Sequence, residues 1–262
     1  MSLINVSNLT FSYEGSYDNI FENVSFQIDT DWKLGFIGRN GRGKTTFLNL
    51  LLGKYAYSGN ISSTVKFEYF PYDVEDKSLY TIEVMKSICT ECMDWEIFRE
   101  ISLLDVQEDA LYRPFNTLSN GEQTKVLLAA LFLTASCFLL IDEPTNHLDI
   151  DARNVVQNYL KRKKGFILVS HDRSLLDQCV DHILSINKTN IEIQKGNFTS
   201  WWENKTLQDN FELAENKKLL KEIGRLSYAA KRSSNWSNKV EKSKYGTTNS
   251  GSKLDKGYVG HK

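Results

Sequence analysis

The run Gly38-Arg-Asn40-Gly41-Arg-Gly43-Lys44-Thr45 spaces glycines, a lysine and a hydroxyl as G-x-x-x-x-G-K-[ST]. Glycines at those places let successive backbone N–H groups curl around phosphate oxygens, and a helix starting behind them adds positive potential. Lys44 then reaches the outer phosphates of a nucleoside triphosphate, the Thr45 hydroxyl suits Mg²⁺, and Thr46 follows in the same turn. Downstream, Phe138-Leu-Leu-Ile-Asp142-Glu143 is an apolar run ending in two carboxylates. Asp142 is placed to hold a magnesium shell and Glu143 to polarise an attacking water as general base. A third segment, 118–123, opens an apolar helix with Ser119, Asn120 and Gly121. It reads as a capping box of Ser119 with Glu122, or as a second anion site at a helix start. Beside the other two motifs, the anion site is the stronger reading.

Such side chains need rigid elements beneath them. A strand at 33–37 leads into the glycine loop and a helix follows from 44 to about 52; the apolar strand 137–141 carries the carboxylates. A helix at 150–162, a strand at 166–169, a short helix after His171 and strands at 182–186 and 191–194 continue the alternation. Strand and helix in turn make a mostly parallel sheet covered by helices, and a fully apolar strand such as 137–141 is of its buried kind. Segments 4–13 and 21–28 alternate around a turn and read as a hairpin, with another strand at 65–70. Apolar i, i+3 spacing predicts helix through 79–115 and again over 121–133. The expected class is α/β, with an antiparallel β subdomain and a helical subdomain over about 73–135.

The 262 residues are 41% hydrophobic and 25% charged, ordinary for a globular chain. Four cysteines at this length make no disulfide framework, so a reducing compartment is expected. Cys89 and Cys92 read as half-buried helix residues, and Cys137 and Cys179 as core. The N-terminus has no signal-peptide pattern, and the longest apolar stretch, 126–141, is shorter than the ~18–20 residues a spanning helix needs. The chain is therefore expected to be cytoplasmic, without a membrane partner.

Charge divides the chain. Residues 1–202 carry 19 Lys and Arg against 26 Asp and Glu, whereas 203–262 carry 13 against 7. An acidic domain, 1–202, thus precedes a basic helical linker, 203–262, whose natural partner is a polyanion. Leu207, Phe211, Leu219, Ile223, Leu226 and Ala230 leave a helical stripe there, and 233–257 reads as a loop. Lys217, Lys218, Lys221, Arg225, Lys231 and Arg232 are placed to neutralise RNA phosphates, with Trp236 and Tyr245 in or near the loop. Trp201 and Trp202 read as a cap on the junction. The sequence stops without a closing element, as expected of the N-terminal portion of a longer protein; the alternative is a half-length protein that pairs with itself.

Together these residues resemble the ATP-binding-cassette (ABC) family of P-loop NTPases: Walker A at 38–45, signature at 118–123, and Walker B at 138–142 followed by Glu143. Glu143-Pro-Thr-Asn-His-Leu-Asp149 is similar to the D-loop of the ABC-F group, and Val169-Ser-His171-Asp-Arg to the switch-histidine segment. The stretch 196–201 is similar to the end of an ABC-F first cassette. The resemblance implies ATP and Mg²⁺ as ligands, with metal contacts from Thr45 and Asp142 and catalytic roles for Glu143 and His171. It implies nucleotide contacts from Tyr13, Gly38, Asn40, Gly41, Gly43, Lys44, Thr45, Thr46, Ser119 and Gly121. Tyr13 would stack on adenine, a plain strand tyrosine being the other reading.

In such domains the signature of one cassette closes over ATP held by another. The implied partners are a second ABC domain in the same chain or a homodimer, and the ribosome at the 23S rRNA and tRNA region of the large subunit. Segment 1–10 and Tyr69-Phe-Pro-Tyr72 are similar to the Lsa-type branch, ATPases implied to protect ribosomes from lincosamides, pleuromutilins and streptogramin A. Two positions depart from the family: Tyr72 replaces a usual glutamine, and Asn120 a usual glycine. The alternatives are a transporter's nucleotide-binding subunit, or an ATP-binding fragment inactive without a second cassette.

Overall fold

The computed structural model describes residues 2–39, 41–146, 148–187 and 190–244. Strands β1 (Leu3–Phe11) and β2 (Phe21–Asp29) pair antiparallel; β3 (Lys33–Ile37) runs into the glycine loop and helix α1 (Lys44–Leu51). A strand absent from the sequence expectation, β4 (Ser58–Ser62), returns to the other edge of β1. Ser-Gly-Asn-Ile-Ser has one apolar residue and no alternation, so only its pairing with β1 makes it a strand. Strands β5 (Lys66–Phe70), β6 (Cys137–Asp142), β7 (Phe166–Val169) and β8 (His182–Asn187) join β3 in a parallel array. Its order is β5-β6-β7-β3-β8, and β9 (Asn190–Lys195) completes it antiparallel to β8. The mostly parallel sheet and the separate antiparallel sheet are both as expected.

Every residue of β7 and the middle four of β6 are buried, so these strands are covered on both faces. One face packs on α1 and the small sheet through Phe21, Phe36, Phe47, Phe138 and Leu140. The Phe47 ring meets Phe36 edge-on at 5.5 Å, pinning α1 to the strand that feeds it. Full burial of such a side chain contributes ~1.5–3 kcal/mol. The other face packs against the helices.

The segment expected to be helical through 79–115 is broken into α2 (Thr81–Ile88), α3 (Asp94–Leu103) and two 3-10 turns, Glu108–Tyr112 and Phe115–Thr117. Both helices begin where a glutamate can reach back to the chain: Glu83 accepts from the Tyr80 N–H and Glu96 from the Met93 N–H. Cys89 and Cys92 lie in the turn between them and form a disulfide, which corrects the reading of half-buried helix residues. Their Cα atoms are 5.5 Å apart, within the reach of a cystine. Then follow α4 (Asn120–Leu133), α5 (Ile150–Arg162) and α6 (Arg173–Cys179).

Helix α7 spans Phe198–Lys244, including 233–244 where a loop is expected. No Gly or Pro occurs between Arg225 and Lys244, and Ser and Asn cost only about 0.5 kcal/mol each relative to Ala in a helix. Tyr245 lies outside the described residues. The chain divides into two compact units, one ending at Glu203 and one beginning at Asn204. At the end of the first, the Arg173 guanidinium lies over the rings of Phe198 and Trp202, and Asp177 accepts from the Thr199 N–H. In the second, Leu207, Phe211, Leu219, Ile223 and Leu226 are all at least half exposed.

One buried carboxylate ties three helices together. Glu100 of α3 is only 1% exposed. It accepts from the Tyr159 hydroxyl of α5 at 2.6 Å, from Lys163, and from Arg99 at 3.0 Å. The Lys163 ammonium also lies 4.7 Å over the Tyr159 ring and 5.4 Å over Phe132 of α4. Burial alone would raise the Glu100 pKa, but Lys163 and Tyr159 outweigh it and the net shift is downward. A lowered folded-state pKa supplies stability above the unfolded value that is lost as pH falls through the folded one. Lys163→Met leaves this buried charge short of its partner and should cost ~2–4 kcal/mol at neutral pH. Thermal unfolding would show a Tm several degrees lower, with the gap from wild type narrowing in acid; an unchanged Tm at neutral pH contradicts the network.

Candidate nucleotide site

The loop from β3 to α1 turns on glycines with left-handed backbone, φ 74° at Gly41 and 94° at Gly43. A Cβ on Gly43 would also lie 2.5 Å from the Ile20 side chain, so glycine is required there twice over. Asn40 lies outside the described residues. The first turn of α1 has no acidic residue, so no carboxylate on it opposes an anion approaching the positive end of the helix. The Lys44 ammonium donates to the Gly38 carbonyl at 2.8 Å. Burial depresses its pKa, while Glu143 and Asp142 act in the opposite sense.

The sheet carries the carboxylates to this loop. Asp142 ends β6, and its Oδ2 accepts from the Thr45 hydroxyl at 3.1 Å. The same oxygen accepts from the Tyr69 hydroxyl of β5 at 3.2 Å. Tyr69 is a site residue that the sequence reading missed. The available signal was a polar-tipped aromatic near the end of a half-buried edge strand, and β5–β6 register sets it beside Leu140, two residues before Asp142. Burial, then the Asp142 charge, pushes the Tyr69 hydroxyl well above its usual range, so it remains a donor. Tyr72, at the departure from the family pattern, instead packs against the helical core.

Glu143 adopts φ 51°, and its N–H donates to the Val169 carbonyl at 2.9 Å. Its Oε2 accepts from the His171 N–H at 3.3 Å. His171 Nε2 stands 3.5 Å from Oε1 but makes no hydrogen bond to it, leaving a buried acceptor oxygen without a donor. Burial, the largest influence, raises the Glu143 pKa despite His171 and Lys44. A half-buried base with an open acceptor fits a water molecule.

Tyr13 is 42% exposed and hydrogen-bonded to the Thr46 hydroxyl at 2.7 Å, with its ring edge-on to Phe11 and Tyr55. Thr46 is buried, its hydroxyl engaged by Tyr13. Ser119 and Gly121 open α4 in a separate group. The Glu122 carboxylate accepts from the Ser119 N–H and hydroxyl, both at 2.8 Å, and Ser119 accepts from the Glu122 N–H. The capping box is thus formed in this chain, and Gly121 lies against Leu148.

Among the described residues no three His, Cys, Asp or Glu side chains could hold a metal by themselves. One carboxylate and one hydroxyl meeting beside a phosphate loop fit magnesium, which keeps several waters and takes its other ligands from phosphates.

The ABC transporter family model matches residues 21–146. A solved ABC transporter in an inward-facing conformation superposes with a TM-score of 0.63 at 21% identity, covering 74% of this chain and 84% of that one. The fold is that of an ABC ATPase domain. Domains of this kind bind ATP with magnesium and hydrolyse it. The chain is 31% identical to the ribosome protection protein VmlR of Bacillus subtilis, over 73% of this chain and 35% of that one. It is 34% identical to the erythromycin resistance ATP-binding protein MsrA of Staphylococcus epidermidis, over 69% and 34%. It is 27% identical to ABC transporter F family member 5 of Arabidopsis thaliana, over 77% and 30%. The ABC domain and its extension span about a third of the length of these relatives.

A raised carboxylate pKa destabilises the fold wherever the group must ionise. Its contribution is favourable in acid and is lost as pH rises through the folded-state value. Glu143→Gln should therefore raise Tm at neutral pH, the advantage shrinking as pH falls toward the ordinary glutamate value of 4.5. A wild-type protein that melts higher than the variant at neutral pH contradicts the burial cost.

Proposed function

We propose that this chain is an ABC-F ATPase of the Lsa type, acting in the cytoplasm to protect ribosomes from lincosamides, pleuromutilins and streptogramin A. The observation that carries this reading is the pairing of an ABC ATPase domain with the long basic helix α7, in a chain whose relatives include a ribosome protection protein. One shallow hollow of α7 is lined by Arg225, Tyr228, Arg232, Ser233 and Trp236, cations interleaved with rings as an RNA surface requires. In this reading α7 is part of a linker that reaches 23S rRNA near tRNA. The second ABC domain comes from elsewhere in a tandem protein or from another copy.

Lys44 and the amides of the 38–46 turn hold the outer phosphates, and Tyr13 offers its ring to adenine. Thr45 and Asp142 would hold Mg²⁺, which when bound would supply positive charge against the phosphate oxygens. Glu143 takes the proton of the attacking water as its oxygen bonds to the terminal phosphorus and the bridging P–O bond breaks. His171 contacts the terminal phosphate. Ser119 and Gly121 of one cassette close over ATP held by the facing one, so Glu122 must give up part of its hold on Ser119. A chain with no facing cassette binds ATP without turnover. A transporter subunit is the weaker alternative: the likeness to the solved transporter is one of fold, and Tyr72 is turned into the core.

Lys44→Ala should weaken ATP binding by tenfold or more in a titration, and unchanged affinity removes the phosphate-loop assignment. Glu143→Gln in the protein assembled with its facing cassette should keep ATP binding and slow hydrolysis by about a hundredfold or more. It should also accumulate on ribosomes in sedimentation; normal turnover takes Glu143 out of the mechanism. Cells expressing the protein should resist lincosamides at an unchanged internal drug level, and a lowered level points to efflux instead.

A further inference from the structure

Asp142 Oδ2 is gripped from two sides. Thr45, on the first turn of α1, donates at 3.1 Å, and Tyr69, from the neighbouring strand β5, donates at 3.2 Å. A threonine hydroxyl can donate to a carboxylate and still offer lone pairs to a cation, so the first contact is compatible with a bound metal. A phenol held by its ring has a narrower role. Tyr69 and Phe67 pack against the core under α1, and the Lys54 ammonium lies 5.5 Å over the Tyr69 ring. The hydroxyl is therefore carried on a fixed platform, and it bonds to the one carboxylate that ends β6. The side chain three positions on, Tyr72, packs against the opposite core instead.

We propose that Tyr69 is a positioning residue of the nucleotide site, whose hydroxyl fixes the Asp142 carboxylate so that its other oxygen faces the magnesium shell of bound ATP. The proposal rests on the ATP reading above and adds a residue to it. A carboxylate on a strand end has a two-fold terminal torsion that is soft. Two donors on one oxygen select one orientation before the metal arrives, which removes an ordering cost from binding. A tyrosine that merely filled the core would stabilise the fold without altering how the site responds to magnesium.

The ratio of ATP affinity in Mg²⁺ to that in EDTA separates these cases, measured by calorimetry on the 262-residue chain. Tyr69→Phe keeps the ring, its packing and the Lys54 contact, and removes only the donor. The ratio should fall about tenfold, the size expected for one hydrogen bond to a charged group. In an Asp142→Asn background the same substitution should change the ratio by less than about twofold, because the group it positions is gone. A ratio equal to wild type in Tyr69→Phe overturns the proposal while leaving the ATP reading intact. A wild-type chain that binds no ATP in either condition overturns both. Equal effects of Tyr69→Phe with and without Asp142 likewise overturn it, since they assign the hydroxyl a role elsewhere.

Discussion

Across β6 and β7 Asp142 pairs with Val169, and across β3 and β7 Phe36 pairs with Val169 as well. One residue of the central strand thus aligns the ends of both its parallel neighbours. The glycine loop after β3, the carboxylates after β6 and the His171 loop after β7 leave the sheet at one edge because of that register. Parallel strands put all their C-terminal ends on the same side, where ligands of open α/β sheets bind. A slip of one residue in β6 would exchange the side chains that face its two cores and carry Asp142 away from Thr45.

The site is a place where the fold gives up stability. Glu143 holds φ 51°, a left-handed backbone that a glutamate seldom takes, and one of its carboxylate oxygens is buried without a donor. Gly41 and Gly43 add backbone that other residues could not follow. Rigid neighbours offset these costs: Phe47 wedged against Phe36 under α1, and the fully buried β7 beside Asp142. Away from the site, Glu100 is more deeply buried yet fully engaged by Tyr159, Lys163 and Arg99. The two glutamates thus hold opposite states, one with an acceptor oxygen left open and one closed into the fold.

What the sequence made legible was local or periodic. The glycine spacing, the apolar strand ahead of Asp142 and the strand–helix alternation are each contained in a short window, and the fold class followed from them. Harder to read were pairings between distant residues. Tyr69 meets Asp142 across 73 positions and Glu100 meets Lys163 across 63, and Tyr69, Glu100 and Lys163 have no distinctive pattern of their own. β4 had too little apolar content to signal a strand, and the helical reading over 79–115 ran through the turn that Cys89 and Cys92 close. The tail failed in the other direction: Ser and Asn over 233–244 have the composition of a loop, yet with no Gly or Pro in that stretch α7 continues through it.

The central claim is that Lys44, Thr45 and Asp142 enclose the triphosphate and metal of one Mg-ATP. A crystal structure of the wild-type chain grown with ATP and magnesium tests it most directly. The account places the phosphates along the 38–46 turn, with a metal between the Thr45 hydroxyl and the Asp142 carboxylate and a water at Glu143. Nucleotide bound elsewhere on the chain, or a filled turn with no metal at Thr45 and Asp142, would contradict it.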